Sequence, residues 1–317
     1  MGNTIQFRDA AFDAIERAMD LNPDIVVLTN DMGALGLDSI AKAWPDRAIN
    51  VGIAEQNMIS VAAGMALAGK IAFCYGIVAH IVGRCYEQIR NDVCCPGLPV
   101  VLVGVGSGLA YGNDGPTHHG VHDIAALRPL PNIAIYDPSD ATTTELAIAD
   151  ALRRRGPGYV RLDKEAHVPL YGGSTDIAAG MLVHGGPAEA VLISSGFLSP
   201  RALAVLAALA ARGRAIRVID LVRLKPVDAP ALLAAIGPAR AVVTIEENAP
   251  VGGLGSLVGD MLARQGRGVA FNPIALDADH YMLSATREWA HARSGLTEAA
   301  IAASIEQALA RQPRAAA

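Results

Sequence analysis

Short apolar runs alternate along this chain with longer stretches in which apolar positions recur every three or four residues. The runs 25–29, 71–75, 100–103, 133–136 and 159–162 predict strands buried on both faces, and a second series follows at 190–194, 216–220 and 241–245. Between them, 54–68, 140–154 and 200–212 read as amphipathic helices. The last is clearly punctuated: Ser199 can cap it, Pro200 suits the first helical position, and Gly213 can end it. Strand–helix alternation of this kind predicts an α/β fold of two domains, each a mostly parallel sheet sandwiched by helices. The rhythm breaks over 163–180, where Pro169, Gly172 and Gly173 interrupt any period. This places one domain at 1–170, a linker at 171–180 and a second domain at 181–317. The tail 312–317 is expected to fray.

Composition narrows the function classes. Of 317 residues, 52% are hydrophobic and 18% charged, enough apolar material to bury a core and too much for disorder. The net charge of −5 offers no field to attract a nucleic-acid backbone. No apolar run nears the roughly 18 residues of a membrane span, and the polar N-terminus is unlike a signal peptide. Cys74, Cys85, Cys94 and Cys95 are clustered without CxxC spacing, which predicts reduced thiols in a cytoplasmic protein and no metal site. Gly104, Gly106 and Gly108 invite a dinucleotide reading, but Leu109 stands where the fingerprint needs glycine. The cluster at Gly253 and Gly255 fails in the same way at Val258, and no P-loop is present. Both clusters therefore predict tight turns with close backbone approach.

Three segments carry candidate chemistry. The segment 50–57, Asn-Val-Gly-Ile-Ala-Glu-Gln-Asn, sets Glu55 where an amphipathic helix begins, with Gly52 allowing the backbone to turn. Val51, Ile53 and Met58 are expected to surround the carboxyl with apolar groups, which raises its pKa, while the helix start lowers it. An acidic residue in a first helical turn is also common without any function. The segment 111–120 packs Asp114, Thr117, His118 and His119 into a Gly/Pro-framed loop after a strand, where α/β ligand sites form. Adjacent histidines on extended backbone face apart and seldom share a metal. Arg84 opens a stretch, 84–92, with charges on a helical period, read as a solvated or subunit-facing helix. Arg161 and Lys164 end a strand beside the domain junction, and either hold an anionic group or are ordinary surface charge.

In their order and spacing these blocks resemble the C-terminal half of transketolase, above all the short second subunit of split-gene transketolases. The resemblance spans nearly the whole chain. It starts near Leu28-Thr-Asn-Asp-Met32, peaks at 50–57, 84–92 and 114–118, and continues through Thr244-Ile-Glu-Glu-Asn248 and Gly252-Gly-Leu-Gly-Ser256.

The resemblance implies a pyrimidine-binding domain for thiamine diphosphate, followed by the family's C-terminal domain. It gives Glu55 the hydrogen bond to N1′ of the aminopyrimidine, which needs a carboxyl with a raised pKa. Asp31, Met32, Ile53 and Arg84 would line the cofactor cleft. Asp114, His118 and His119 would meet the sugar, and Arg161 and Lys164 its phosphate, with His118 also catalytic. Family members usually carry a stacking aromatic shortly before Arg84; here only His80 or Ile81 is available. The family holds the diphosphate and Mg²⁺ with a Gly-Asp-Gly motif, which this sequence lacks. The implied partner is a separate N-terminal transketolase subunit carrying the diphosphate-binding domain, in an α2β2 assembly.

The implied activity is transfer of a two-carbon ketol unit from a ketose phosphate to an aldehyde. Three alternatives stand beside it: the β-subunit of a 2-oxo acid dehydrogenase, a deoxyxylulose-phosphate-synthase-like condensing enzyme, and a non-catalytic stabilising partner. The Asp-Gly-Pro-Thr-His loop and the Ala-Glu-Gln context favour the transketolase side.

Overall fold

A computed structural model describes residues 4–311, so the expected fraying of the tail at 312–317 lies outside the described residues. The first of two large sheets has seven strands. In spatial order they are Arg223–Lys225, Ala134–Tyr136, Gly158–Leu162, Val100–Val105, Ile71–Ile77, Ile25–Thr29 and Ala48–Asn50. All pair in parallel except Arg223–Lys225, which runs antiparallel on the edge. Apolar residues fill Ile25–Thr29 and Val100–Val105 without alternation because helices cover both faces. Phe7–Leu21, Leu35–Ala43 and Ala141–Arg154 bury Phe12, Ile15, Met19, Ile40 and Ile148 against one face. Glu55–Leu67 and the helical run from Val78 to Cys94 bury Met58, Ile59, Ile81 and Ile89 against the other.

The second sheet has five strands, in the order Ala270–Ile274, Ala241–Ile245, Ala190–Ser194, Ile216–Asp220 and Leu182–His184. Only Leu182–His184 is antiparallel. Ser199–Ala210 and Glu298–Ala310 cover one face. The other face packs toward the first sheet, and Val191, Ile193, Ile219, Leu232 and Val258 share one apolar cluster with Val26, Met58 and Leu102. The two-sheet α/β architecture is thus the one the apolar pattern predicts, joined through a continuous core.

Local details differ from expectation in two places. Ser199 does not cap its helix: the N-cap is Leu198, and the Ser199 hydroxyl donates to Asp220 at 2.8 Å. The strand Arg223–Lys225, which the sequence pattern does not mark, leaves the second half of the chain to complete the first sheet. The stretch 163–180 holds only Ala166–His167, paired with Ile5–Gln6.

Candidate functional site

The strands of the first sheet deliver their C-terminal ends to one rim, and the candidate residues gather there. Asn50, closing the strand Ala48–Asn50, fastens the rim: its amide nitrogen donates to Asp31 Oδ1 (3.1 Å), while its oxygen accepts from the Asp31 and Gly52 amides. Gly52 has φ +74°, the left-handed turn that brings the chain into the helix Glu55–Leu67. Glu55 is the first residue of that helix and only 3% exposed. Its Oε1 accepts from Asn30 Nδ2 at 3.1 Å and its Oε2 from Arg84 Nη1 at 2.8 Å.

Glu55's surroundings are less apolar than expected. Met58 is buried below it, but Ile53 is 79% exposed and points away from any shielding role. Burial pushes the Glu55 carboxyl up, but hydrogen bonds from its own backbone amide, Arg84 and Asn30, with the Arg84 charge, outweigh this. The net shift is downward. This corrects the expectation of a raised pKa, because the deciding groups lie 29 and 25 residues away in sequence.

The helix Val78–Gly83 supplies the next two groups. His80 and Arg84, one turn apart, both face Glu55; His80 Nδ1 lies 3.9 Å from Oε1, beyond direct hydrogen bonding. Ile81 is fully buried beside Gly76 and Asn30. Of the two candidate stacking residues only His80 faces the site, and the reading of Ile81 as a cofactor contact is corrected to a core residue.

The loop after Val100–Val105 brings His118. Its ring meets His80 edge-on at 5.4 Å between centroids, lies 5.6 Å from Tyr111, and its Nδ1 is 2.9 Å from the Thr117 hydroxyl. His119 faces apart as expected, but into the protein: it is 6% exposed, with Nδ1 on the Tyr281 carbonyl (2.7 Å) and Nε2 on the Gly112 carbonyl (3.1 Å). It anchors the loop to the second half of the chain instead of meeting substrate. Asp114 and Lys164 line a cavity of about 400 Å³ with Tyr111, Thr286 and Glu288, and the Lys164 ammonium lies 4.3 Å from the Tyr111 ring centroid. Asp31 and Met32 line a separate cavity of about 240 Å³ beside the edge strand Ala48–Asn50.

Arg161 does not join them. It is 3% exposed and its donors are spent: Nε on Asp123 (2.7 Å), Nη1 on Asp137 (3.3 Å), Nη2 on the Gly120 and Glu247 carbonyls. The expectation of a phosphate ligand is therefore corrected, since the guanidinium ties the sheet rim to the second half of the chain. A neighbouring strut has no local sequence signal, because its members lie far apart in the chain. Arg287 joins Asp163 to Glu247, which also receives His291. Gly108 (φ +56°) leaves room for it, because a Cβ there would lie 2.1 Å from the Glu247 carboxylate. Asp163, Glu165 and His167 are the one trio of potential metal ligands among the described residues, and Arg287 already bonds Asp163 and lies 3.4 Å from Glu165. Asn30 is scarcely marked either. Its only signal is an amide-bearing residue at a strand's C-terminal end, and its Oδ1 is buried without a partner.

Residues 3–168 match the model of the transketolase pyrimidine-binding domain, and residues 181–307 that of the transketolase C-terminal domain. An apulose-4-phosphate transketolase subunit from Actinobacillus succinogenes is 32% identical over 276 residues, 84% of this chain and 87% of that protein. A 1-deoxy-D-xylulose-5-phosphate synthase from Geobacter sulfurreducens is 32% identical over 316 residues, 98% of this chain but 50% of its own length. A solved structure described as a split-gene transketolase, inactive β4 tetramer, superposes with a TM-score of 0.89 at 31% identity, covering 98% of this chain and all of that one.

Proposed function

This chain belongs to the transketolase family, and from that premise we propose that it is the pyrimidine-side subunit of a split, thiamine-diphosphate-dependent transketolase. It would move a two-carbon ketol unit from a ketose phosphate to an aldehyde. The observation that carries the reading is the Glu55 carboxyl, buried at the head of its helix between Asn30, Arg84 and His80. This donor set suits an aminopyrimidine. The carboxyl can hold a proton toward a ring nitrogen, Asn30 steadies that carboxyl through its amide nitrogen, and His80 offers a ring face. When bound, the cofactor supplies the nucleophilic carbon and the electron sink that ketose cleavage requires.

The chain's own residues do the rest. Glu55 shares a proton from its carboxyl oxygen with the pyrimidine nitrogen, which requires Arg84 to release Oε2. His118, half-buried beside Tyr111, accepts the proton of a sugar hydroxyl, and Asp114 orients that sugar by hydrogen bonding. Lys164 meets the phosphate as a point charge, with Arg161 committed elsewhere. Asp31, Met32 and the exposed Ile53 lie on the same rim, where the cofactor and a second subunit would close over them. In this reading the diphosphate and Mg²⁺ fall to a separate N-terminal transketolase subunit, paired with this one in an α2β2 assembly. The relative from Actinobacillus succinogenes, itself one subunit of a transketolase, and the split-gene neighbour support that division.

The test is reconstitution with a partner subunit, thiamine diphosphate and Mg²⁺, following ketol transfer between sugar phosphates. Glu55→Gln should lower kcat by at least about 100-fold with the fold intact. Turnover unchanged by that substitution would defeat the reading. The synthase relative supports a second possibility, condensation of a 2-oxo acid with an aldehyde phosphate. The same assay with pyruvate as donor separates the two by product.

A further inference from the structure

His80 stands between two groups that the proposed chemistry uses separately. Its Nδ1 is 3.9 Å from Glu55 Oε1, and its ring meets the His118 ring edge-on with centroids 5.4 Å apart. It is half-buried, and the charged and polar groups facing it come from three elements. Glu55 comes from the head of its helix, Arg84 from the end of His80's own helix, and His118 with the Thr117 carbonyl from the loop after Val100–Val105. Family resemblance leads one to expect a non-titrating aromatic ring here. This chain has an imidazole.

We propose that His80 is a positioning residue that stands in the field of both Glu55 and His118, so that its own gain or loss of a proton is felt at both. At 3.9 Å the link to Glu55 is electrostatic, not a direct hydrogen bond. Two unit charges 5.4 Å apart still shift each other by about half a pH unit even at the dielectric of water. Burial holds the His80 pKa below its ordinary value, and the charges of Arg84 and His118 add to this against the opposing pull of Glu55 and the Thr117 carbonyl. His80 is therefore neutral near pH 7. As pH falls and it takes a proton, it holds Glu55 ionised and resists a second positive charge on His118. Both effects oppose what the two residues are proposed to do, so protonation of His80 contributes to the acid limit of the site.

The catalytic consequence rests on the proposed function; the coupling itself does not. It is read by NMR titration of the imidazoles in the full chain alone, with the His80 signal identified by its loss in His80→Phe. His118→Gln should raise the His80 midpoint by about half a pH unit and Glu55→Gln should lower it. If both variants leave the midpoint within about 0.2 of a pH unit, the coupling is overturned. In the reconstituted enzyme, His80→Phe and His80→Gln should each remove the acid limb of the kcat/KM profile contributed by His80. An acid limb unchanged in both variants, despite coupling in the titration, overturns the catalytic consequence. Absence of any turnover with coupling present instead counts against the proposed function.

Discussion

Arg84 ends its helix with half of its side chain in solvent, yet it supplies the counter-charge to a carboxylate that is almost wholly buried. Because Arg84 and Asn30 hold the Glu55 pKa down, the pair stabilises the fold above the unfolded carboxyl's titration near pH 4.3, and this is lost as pH falls through the lowered folded value. Arg84→Met should therefore cost about 1–2 kcal/mol at pH 7, discounted for the exposed guanidinium, and progressively less toward pH 3. Urea denaturation at the two ends of that range checks it, and a cost independent of pH would show that packing, not charge, is what Arg84 contributes. At this scale Glu55 and His118 stand out because each sits in a distinctive local motif, whereas Arg84 by itself reads as part of a solvated or subunit-facing helix. Arg161 misleads because its neighbours in the chain say nothing of Asp123 and Asp137, which reach it only after folding. Ile53 misleads for the opposite reason: apolarity suggests burial, and the chain leaves it in solvent.

The helix Ala141–Arg154 shows how one residue can serve two elements. Asp140 caps it in a reciprocal box with Thr143, and its second oxygen accepts from the Leu170 and Tyr171 amides at 2.8 and 2.9 Å. An ordinary cap is worth about 1 kcal/mol. Asp140→Ala should cost about 2–3 kcal/mol, because two further amides lose their acceptor. It should also speed proteolysis near residues 170–175, which Thr143→Ala would not do to the same degree; equal cleavage in the two variants would refute the second role. Elements of this kind divide sharply in how readable they are. The fully buried strands Ile25–Thr29, Ala190–Ser194 and Ala241–Ile245 stand out to the residue because both faces demand apolar side chains, and Ile216–Asp220 does so despite the partly exposed Arg217. The edge strands Ala48–Asn50, Leu182–His184 and Ala270–Ile274 do not, since partial exposure admits polar residues and even Pro273.

Across the whole molecule, polar groups as well as apolar ones bind the two halves together. Asp220, at the end of its strand in the second sheet, accepts from Ser199, from the Tyr171 hydroxyl, and from Ser139 in the first half. Burial pushes its carboxyl up to about 6 despite these hydrogen bonds. A carboxyl with a folded pKa above its unfolded value near 3.9 contributes stability that is complete below the lower value and lost as pH rises through the higher one. Between pH 4 and 7 the wild-type protein should therefore lose on the order of 2–3 kcal/mol more than Asp220→Asn, measured by urea denaturation at steps of pH. Parallel curves would refute the assignment. The two-sheet architecture is legible from the alternation of runs, but the traffic between halves is not, because such contacts have no period. The strand Arg223–Lys225 carries that traffic furthest. The halves are consequently not interchangeable modules. A gene cut near residue 180 would leave Ala134–Tyr136 as an open sheet border, ready to pair with a neighbouring molecule. A chimaera of this chain with a relative's second half would inherit a foreign edge strand, so recombination between such subunits is constrained to exchange both halves together.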